Sequence, residues 1–450
     1  MKKIILFVTV FFTLNTSAQV FKLVKDINRT GDANPYHMTE FNGKVYFRAT
    51  QTANGEELWV SDGTTAGTRM FKDIKPGSRS SSIAWITVVG DIFYFRADNG
   101  TNGQELWISD GTAAGTRMLK DIRSGAKSSN LSYFKVYAGK LYFRANDGMN
   151  GEELWVSDGT AVGTKMVKDI HTSGNGNPSY LTVSNGKLYF TATDGTNGKE
   201  LWVSDGTASG TQMVQDINPG AASSKLMYLT EFSGKTYFRA KDGTAGYELW
   251  VTDGTSAGTQ MVKDINPGVG NASPAYMTVY NGKLYFRAND GTNSVQLWVS
   301  DGTSAGTQML KKIHPAGNAV VDYLSVFNGK LYFRGDDGTN GQELWETDGT
   351  KVGTRMVKDI NKNRSSSPHD FFIYHAKLYF IAREANGAQL YESDGTAAGT
   401  KLISPTVTLS DNPLGNPANM VFFNGSIYFR ANYNTKGKEL WKYTTPVPRR

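Results

Sequence analysis

Apolar and polar residues alternate along most of the chain in short runs, and turn-forming residues separate the runs. Alternation with a period of two is typical of β-strands. The unit that begins at Tyr276 contains four such segments, named a to d: MTVY, KLYFRA, QLWVS and QMLKKI. Asn281-Gly282 between a and b suits a tight hairpin, because both residue types accept positive φ. The pattern predicts four antiparallel strands in each unit and no helix.

The unit recurs along nearly the whole chain. Its Leu-Trp marker occurs at spacings of 46 to 50 residues, at Trp59, Trp107, Trp155, Trp202, Trp250, Trp298, Trp345 and Trp441, with Tyr391 in place of one tryptophan. A second marker, Tyr-Phe, also occurs nine times in the same phase. A period near 48 residues lies in the range of propeller blades. The predicted fold is therefore all-β: a single β-propeller of four-stranded blades, with nine blades favoured and eight as the alternative.

The two ends of the repeated region complement each other. Residues 20 to 27 read VFKLVKDI and match segment d, whereas the last unit supplies only segments a, b and c. We expect the N-terminal strand to complete the final blade and close the ring, because closure removes exposed sheet edges.

At ELWVSDGT the units are similar to the ELWxxDGT repeat proteins of bacteria, a Bacteroidetes-type group of secreted repeat proteins. The resemblance extends over residues 20 to 445. It implies a protein of the cell surface or exterior, and it implies no shared reaction or ligand.

The first residues, MKKIILFVTVFFTLNTSAQV, have the pattern of a secretory signal peptide with cleavage after Ala18. The predicted organisation is a signal peptide at 1–18 and a single propeller at 19–450. The apolar run is too short to span a bilayer, and we predict no transmembrane segment in the mature chain. The expected location is secreted, periplasmic or at the cell surface.

Composition and charge narrow the chemistry. The chain has no cysteine, which excludes disulfides, thiolate nucleophiles and cysteine-ligated metals. The net charge is +7, and the basic residues recur evenly instead of clustering, so we predict no nucleic-acid partner. The five histidines have no metal-ligand spacing, and no hydrolase or phosphate-binding motif occurs. We predict no catalytic residues, no metal site and no cofactor, with weak Ca²⁺ binding by the turn segments as the alternative.

Two oppositely charged residues recur on neighbouring segments. Arginine recurs in segment b, as at Arg144, and glutamate recurs before Leu-Trp, as at Glu153. A buried charge needs a partner, so we predict a structural ion pair between them across strands or blades. The recurrent tryptophans are expected to pack against a neighbouring blade.

The strongest functional signal lies at the start of segment a. The inner strand of a propeller lines the axis, so aromatic residues at this position form a ring at the mouth, beside loops that vary between units. The predicted ligand-binding residues are Tyr36, Trp85, Tyr133, Tyr180, Tyr228, Tyr276 and Tyr323, with His369 and Asn419 at the position in the last two units. Capping of the blade core is the alternative role for these side chains.

These observations favour a non-catalytic binding or scaffold propeller that engages a protein partner at the cell envelope or surface. The alternative is a multivalent carbohydrate-binding propeller whose weak sites gain avidity by repetition, with a polysaccharide as the partner. A central-channel enzyme is the least favoured hypothesis.

Overall fold

The computed structural model describes residues 20–362, 364–385, 387–403, 408–409, 420–432 and 437–444. These residues form nine antiparallel blades arranged in a ring, a nine-bladed β-propeller, and no helix occurs among them. The prediction of nine four-stranded blades is confirmed. The predicted signal peptide lies outside the described residues. No helix capable of spanning a bilayer is present in the described part of the chain.

Within each blade the strands follow chain order from the axis to the rim. The inner strands a are Tyr36–Phe41, Ala84–Val89, Ser132–Tyr137, Ser179–Ser184, Met227–Phe232, Ala275–Tyr280, Asp322–Phe327, His369–Tyr374 and Met420–Phe423. The strands b are Lys44–Gln51, Ile92–Asp98, Lys140–Asn146, Lys187–Ala192, Lys235–Ala240, Lys283–Asn289, Lys330–Asp336, Lys377–Glu384 and Ser426–Asn432.

The strands c are Gly55–Ser61, Gln104–Ser109, Glu152–Ser157, Glu200–Ser204, Glu248–Thr252, Val295–Ser300, Gln342–Thr347, Gly387–Ser393 and Lys438–Thr444. The outer strands d are Arg69–Lys72, Arg117–Lys120, Lys165–Lys168, Gln212–Gln215, Gln260–Lys263, Gln308–Lys311, Arg355–Lys358 and Lys401–Leu402, and Val20–Lys25 for blade 9. A short strand, Thr408–Leu409, also pairs with strand b of blade 9.

The N-terminal strand closes the ring, as predicted. Val20–Lys25 pairs antiparallel with Lys438–Thr444 and so becomes the outer strand of blade 9. Just beyond it, the backbone N–H of Ile27 donates to a carboxylate oxygen of Glu439 at 2.8 Å. Lys25 Nζ also reaches the carbonyl oxygen of Thr68 in blade 1 at 2.6 Å.

The hydrophobic core lies in layers between successive blades. Trp107, for example, packs with Phe41, Leu58 and Ile74 of blade 1, and each Leu-Trp tryptophan of the described blades is nearly fully buried. The predicted packing of these tryptophans against a neighbouring blade is confirmed. Because each layer joins two blades, the core extends around the ring without a break into separate domains.

The turn between strands c and d is bonded internally, which explains its near identity among units. Asp205 Oδ1 accepts bonds from the backbone N–H and the hydroxyl of Thr207 at 2.9 and 2.8 Å. Gly206 has a φ of 95°, and a Cβ there would lie 2.2 Å from the hydroxyl oxygen of Tyr142 in the preceding blade. The turn therefore requires glycine both for its backbone and for its blade contact.

Candidate functional site

A ring of residues with left-handed backbone surrounds the axis. Each inner strand from blade 1 to blade 8 carries one such residue directly after its first register pair with strand b, where the pairing shifts. The ring consists of His37, Trp85, Tyr133, Tyr180, Tyr228, Tyr276, Tyr323 and Asp370, with φ between 54° and 61°. We call these eight residues the axial ring.

Bulky residues rarely adopt this conformation, and each such residue costs about 1–3 kcal/mol. Register irregularities of this kind aim side chains in a new direction and are frequent beside functional sites. The chain repeats the same costly arrangement in eight consecutive blades, so the position serves to present the side chain toward the axis.

The structure corrects the predicted ring in two blades. In blade 1 the left-handed residue is His37, while Tyr36 precedes it and pairs with Arg48 in the register. In blade 8 it is Asp370, while His369 pairs with Ile381. In blade 1 the spacing of 22 residues to Trp59 gives His37, and the preference for an aromatic residue displaced the prediction to Tyr36. In blade 8 the spacing itself misled, because only 21 residues separate Asp370 from Tyr391. Asn419 lies outside the described residues.

The other predicted aromatics, from Trp85 to Tyr323, all occupy the axial ring. Neighbouring rings contact one another in two arcs. One arc joins Trp85, Tyr133 and Tyr180, with centroids 6.1 and 5.8 Å apart. The second joins Tyr228, Tyr276, Tyr323 and His369, with centroids 5.8, 5.9 and 6.2 Å apart. These distances suit aromatic contacts, and the rings meet in tilted or edge-to-face orientation.

Arginines of strand b lie against these rings. The guanidinium carbons of Arg144, Arg287 and Arg334 lie 5.0, 4.8 and 5.0 Å from the ring centroids of Tyr133, Tyr276 and Tyr323. Arg239 lies between two tyrosines, 5.1 Å from Tyr228 and 4.9 Å from Tyr247. Such cation–π contacts fix the ring orientation.

The predicted pairing of these arginines with the glutamates before Leu-Trp is wrong. Arg144 pairs instead with Glu152, the residue before Glu153, at 3.2 Å. In the register, Glu153 lies opposite Ala145, one position along from Arg144, so the two side chains emerge on opposite faces of the sheet. Glu152 shares the face of Arg144, and the period-two pattern could have revealed this.

Glu153 has a different structural task. Its two carboxylate oxygens accept bonds from the backbone N–H groups of Ile170 and Gly176 at 2.9 and 2.7 Å, in the loop that leads to the next inner strand. Burial raises the pKa of Glu153 to about 7. Equivalent bonds to the isoleucine N–H recur in most blades, so these glutamates position the d–a loops around the axial ring.

Burial favours the neutral form of three side chains of the axial ring. Burial and the nearby Arg48 and Arg96 lower the pKa of His37 to about 4. Burial raises the pKa of Tyr276 and of Tyr323. These three side chains are therefore uncharged at neutral pH.

The turn segments do not assemble a metal centre in the described part of the chain, where no group of three His, Asp or Glu side chains comes together. Asn99 Oδ1 already accepts the backbone N–H groups of Thr101 and Asn102, both at 2.9 Å. The prediction of weak Ca²⁺ binding by these turns stays a prediction.

No family model matches the chain, and no curated protein matches it. The similar solved structures include a prolyl endopeptidase, with 12 % identity over 79 % of this chain and a TM-score of 0.43. A puromycin hydrolase has 13 % identity over 79 % and a TM-score of 0.38, and prolyl oligopeptidase B from Galerina marginata has 10 % over 78 % and 0.39. The chain covers 55 to 59 % of the length of these three proteins.

At such low identity the likeness shows the propeller fold alone. The comparisons nevertheless contradict the expected function, a non-catalytic scaffold for envelope proteins with a carbohydrate-binding alternative, because the similar structures are those of peptidases and a hydrolase. That expectation is withdrawn. The resemblance to ELWxxDGT repeat proteins and the predicted secretion stay predictions.

Proposed function

We propose that the axial face of the propeller binds a small organic molecule with a planar ring system. The observation that carries this proposal is the pair of aromatic arcs, whose members other than His369 are held at costly left-handed positions. Core capping alone does not require this conformation, because an ordinary strand residue could fill the same space at no backbone cost. Stacking on such a ligand requires both exposed π surface and fixed ring orientation, and the arginine contacts supply the latter.

The variants of the test replace residues of the longer arc. Asparagine tolerates a left-handed backbone better than other non-glycine residues, so Tyr276→Asn and Tyr323→Asn remove the rings while limiting backbone strain. Tyr276→His keeps a ring, as blade 1 does with His37. Thr303→Ala, in a c–d turn on the opposite face, is the matched control.

The probe is 2-naphthamide, a neutral two-ring compound, titrated by isothermal calorimetry. We expect each asparagine variant to weaken binding about threefold to tenfold, because one aromatic pair contributes about 0.5–1.5 kcal/mol. Tyr276→His should keep most of the affinity, and Thr303→Ala should keep all of it. The proposal fails if 2-naphthamide does not bind the parent protein, or if folded asparagine variants bind it unchanged.

A further inference from the structure

The two aromatic arcs are separated at blade 4. In the described structure no ring contact joins Tyr180 to Tyr228, and a pocket of about 340 Å³ lies at this point. Its lining includes Tyr180, Thr191, Lys199, Ser223, Lys225 and Met227. The volume is within the range of small-molecule sites, and Tyr180 is the most exposed aromatic of the axial ring, at 44 %.

The pocket occupies space that an arginine fills in other blades. In blades 1 and 2 the guanidinium groups of Arg48 and Arg96 donate to the carbonyl oxygens of Ile83 and Leu131, just before the next inner strand. Leu226 holds the same place after blade 4 and lines the pocket. Thr191 replaces the arginine there, and its short side chain reaches only the carbonyl oxygen of Ser179 in its own blade.

A second replacement in blade 4, of a glutamate by Lys199, leaves positive charge in the pocket. In blades 1 and 3 this place holds a neutralised pair, Arg48 with Glu56 at 3.3 Å and Arg144 with Glu152 at 3.2 Å. Lys199 stands in blade 4 at the position of those glutamates, and its Nζ contacts only Ser179 Oγ, at 3.4 Å. No carboxylate of the described residues lies within ion-pair distance of Lys199 or Lys225.

Two observations indicate that the positive charge of Lys199 and Lys225 serves ligand binding. Burial and the nearby Arg144 lower the pKa of Lys199, and the carboxylate of Glu152 offsets only part of this effect, so a bound anion would stabilise the charge of Lys199. Lys225 has a left-handed backbone, with φ of 47°, at a position where most other blades have asparagine or serine. A lysine gains nothing locally from that conformation.

Blade 8 provides a contrast. It also lacks the arginine, with Ile381 in its place, but Ala388 stands where blade 4 has Lys199. In blade 8 the loss of the arginine is thus not accompanied by a lysine at this position, whereas blade 4 combines the vacated space with two lysines.

We propose that the blade 4 pocket binds a small organic anion. Its carboxylate would pair with Lys199 and Lys225, and its apolar body would lie against Tyr180 and Met227. This inference extends the proposed function from π stacking to charge selection. The two share Tyr180, but Lys199 and Lys225 belong to the pocket alone, so the inference fails separately from the proposed function.

The test uses a variant in which the arginine–glutamate pair of blade 3 replaces the pocket residues of blade 4. Thr191→Arg with Lys199→Glu recreates the Arg144 and Glu152 combination, which the same blade architecture already accommodates. The probes are 4-bromobenzoate and its neutral counterpart 4-bromobenzamide, measured by calorimetry, and the bromine also locates the bound anion by anomalous diffraction. Lys225→Gln is a second variant that leaves the pocket walls intact.

We expect 4-bromobenzoate to bind the parent protein with a bromine peak beside Tyr180, and 4-bromobenzamide to bind at least about tenfold more weakly. The double variant and Lys225→Gln should each weaken anion binding by about tenfold or more, with unchanged melting temperature for Lys225→Gln. Tyr276→Asn, which tests the aromatic arc, should leave this binding unchanged.

The inference is overturned if 4-bromobenzoate and 4-bromobenzamide bind with equal affinity, or if the bromine peak does not lie beside Tyr180. It is also overturned if the folded variants bind 4-bromobenzoate as tightly as the parent protein does. If the parent protein binds 4-bromobenzoate but not 2-naphthamide, the proposed function alone is overturned. Should the double variant not fold, Lys225→Gln decides the outcome by itself.

Discussion

Glu153 shows how one side chain can organise a loop without an ionic partner. It is fully buried, and both of its carboxylate oxygens accept backbone N–H groups. Blade 6 carries Gln296 at this position, where Oε1 accepts the N–H groups of Ile313 and His314 while Nε2 donates to three carbonyl oxygens. The site thus accepts a neutral isostere, because acceptors as well as donors surround it.

We therefore expect Glu153→Ala and Glu153→Gln to differ sharply. Alanine leaves two buried N–H groups without a partner, which should destabilise the protein by about 2–5 kcal/mol. Glutamine should cost less than about 1 kcal/mol, since it keeps the acceptor, as in blade 6. The midpoints of urea unfolding measure both effects, and equal midpoints for the two variants would contradict this role. Arg144→Met combined with Glu153→Gln should show additive effects, because the two side chains are on opposite faces.

The buried glutamates also predict the pH dependence of stability. Burial raises the pKa values of Glu57, Glu105, Glu153, Glu200, Glu248 and Glu439 to about 7, from 4.5. The folded state then binds more protons than the unfolded state between pH 4.5 and 7, so stability decreases as the pH rises through this window. Hydroxyl and backbone bonds lower the pKa values of turn aspartates such as Asp62, whose contribution is lost in stronger acid.

We expect a higher melting temperature at pH 5 than at pH 8, as measured by calorimetry in buffers of equal ionic strength. Replacing Glu57, Glu153 and Glu248 together by glutamine should flatten this dependence, because glutamine does not titrate. A melting temperature that rises from pH 5 to pH 8 would show that the carboxylates are ionised throughout.

At the level of elements, a lysine at the end of most outer strands links its blade to the next. Lys168 Nζ reaches the carbonyl oxygen of Thr211 at 2.7 Å, and Lys263 Nζ reaches that of Thr307 at 2.7 Å. The c–d turn that supplies the acceptor is held by its own aspartate and threonine, so the acceptor is already in place. Blade 4 has Gln215 at this position, and no such link to Thr259 occurs in the described structure.

These links predict opposite effects for two substitutions. Lys168→Met removes a charge-assisted hydrogen bond and should destabilise the protein by about 1–2 kcal/mol. Gln215→Lys adds the missing link to the carbonyl of Thr259 and should raise the melting temperature slightly. Thermal unfolding of the two variants beside the parent checks both expectations, and destabilisation by Gln215→Lys would mean that the blade 4 rim is packed differently.

For the whole molecule, closure depends on the N-terminal strand. Val20–Lys25 covers the edge of Lys438–Thr444, and the N–H groups of Ile27 and Asn28 satisfy the buried carboxylate of Glu439. Removing this segment exposes a strand edge and leaves Glu439 without these two donors, so both aggregation and lost stability are expected.

Deletion of residues 19–28 should lower the melting temperature and produce oligomers in size-exclusion chromatography, whereas deletion of residues 2–18 alone should leave the ring unchanged. A monomeric 19–28 deletion with the melting temperature of the parent would disprove closure by this strand.

The blade number, the four strands of each blade and the ring closure were all predictable from the amino-acid sequence. Strand alternation, hairpin turns and glycine positions follow from local physics, and most of the nine units repeat them, so an irregular unit can be read from the others. It also identified six of the eight axial positions, from Trp85 to Tyr323.

The side-chain positions, their partners and the blade 4 pocket became known only from the three-dimensional structure. His37 lies 22 residues before Trp59, as the other ring positions lie before their tryptophans, so only the preference for an aromatic residue led to Tyr36. Asp370 depends on the strand pairing, because 21 residues instead of 22 separate it from Tyr391. The partners of Arg144 and Glu153 depend on which face of the sheet each side chain occupies and on loops from elsewhere in the ring. The blade 4 pocket depends on the next blade, whose Lys225 and Met227 form its far wall, and contacts between blades have no signature in the pattern of a single repeat.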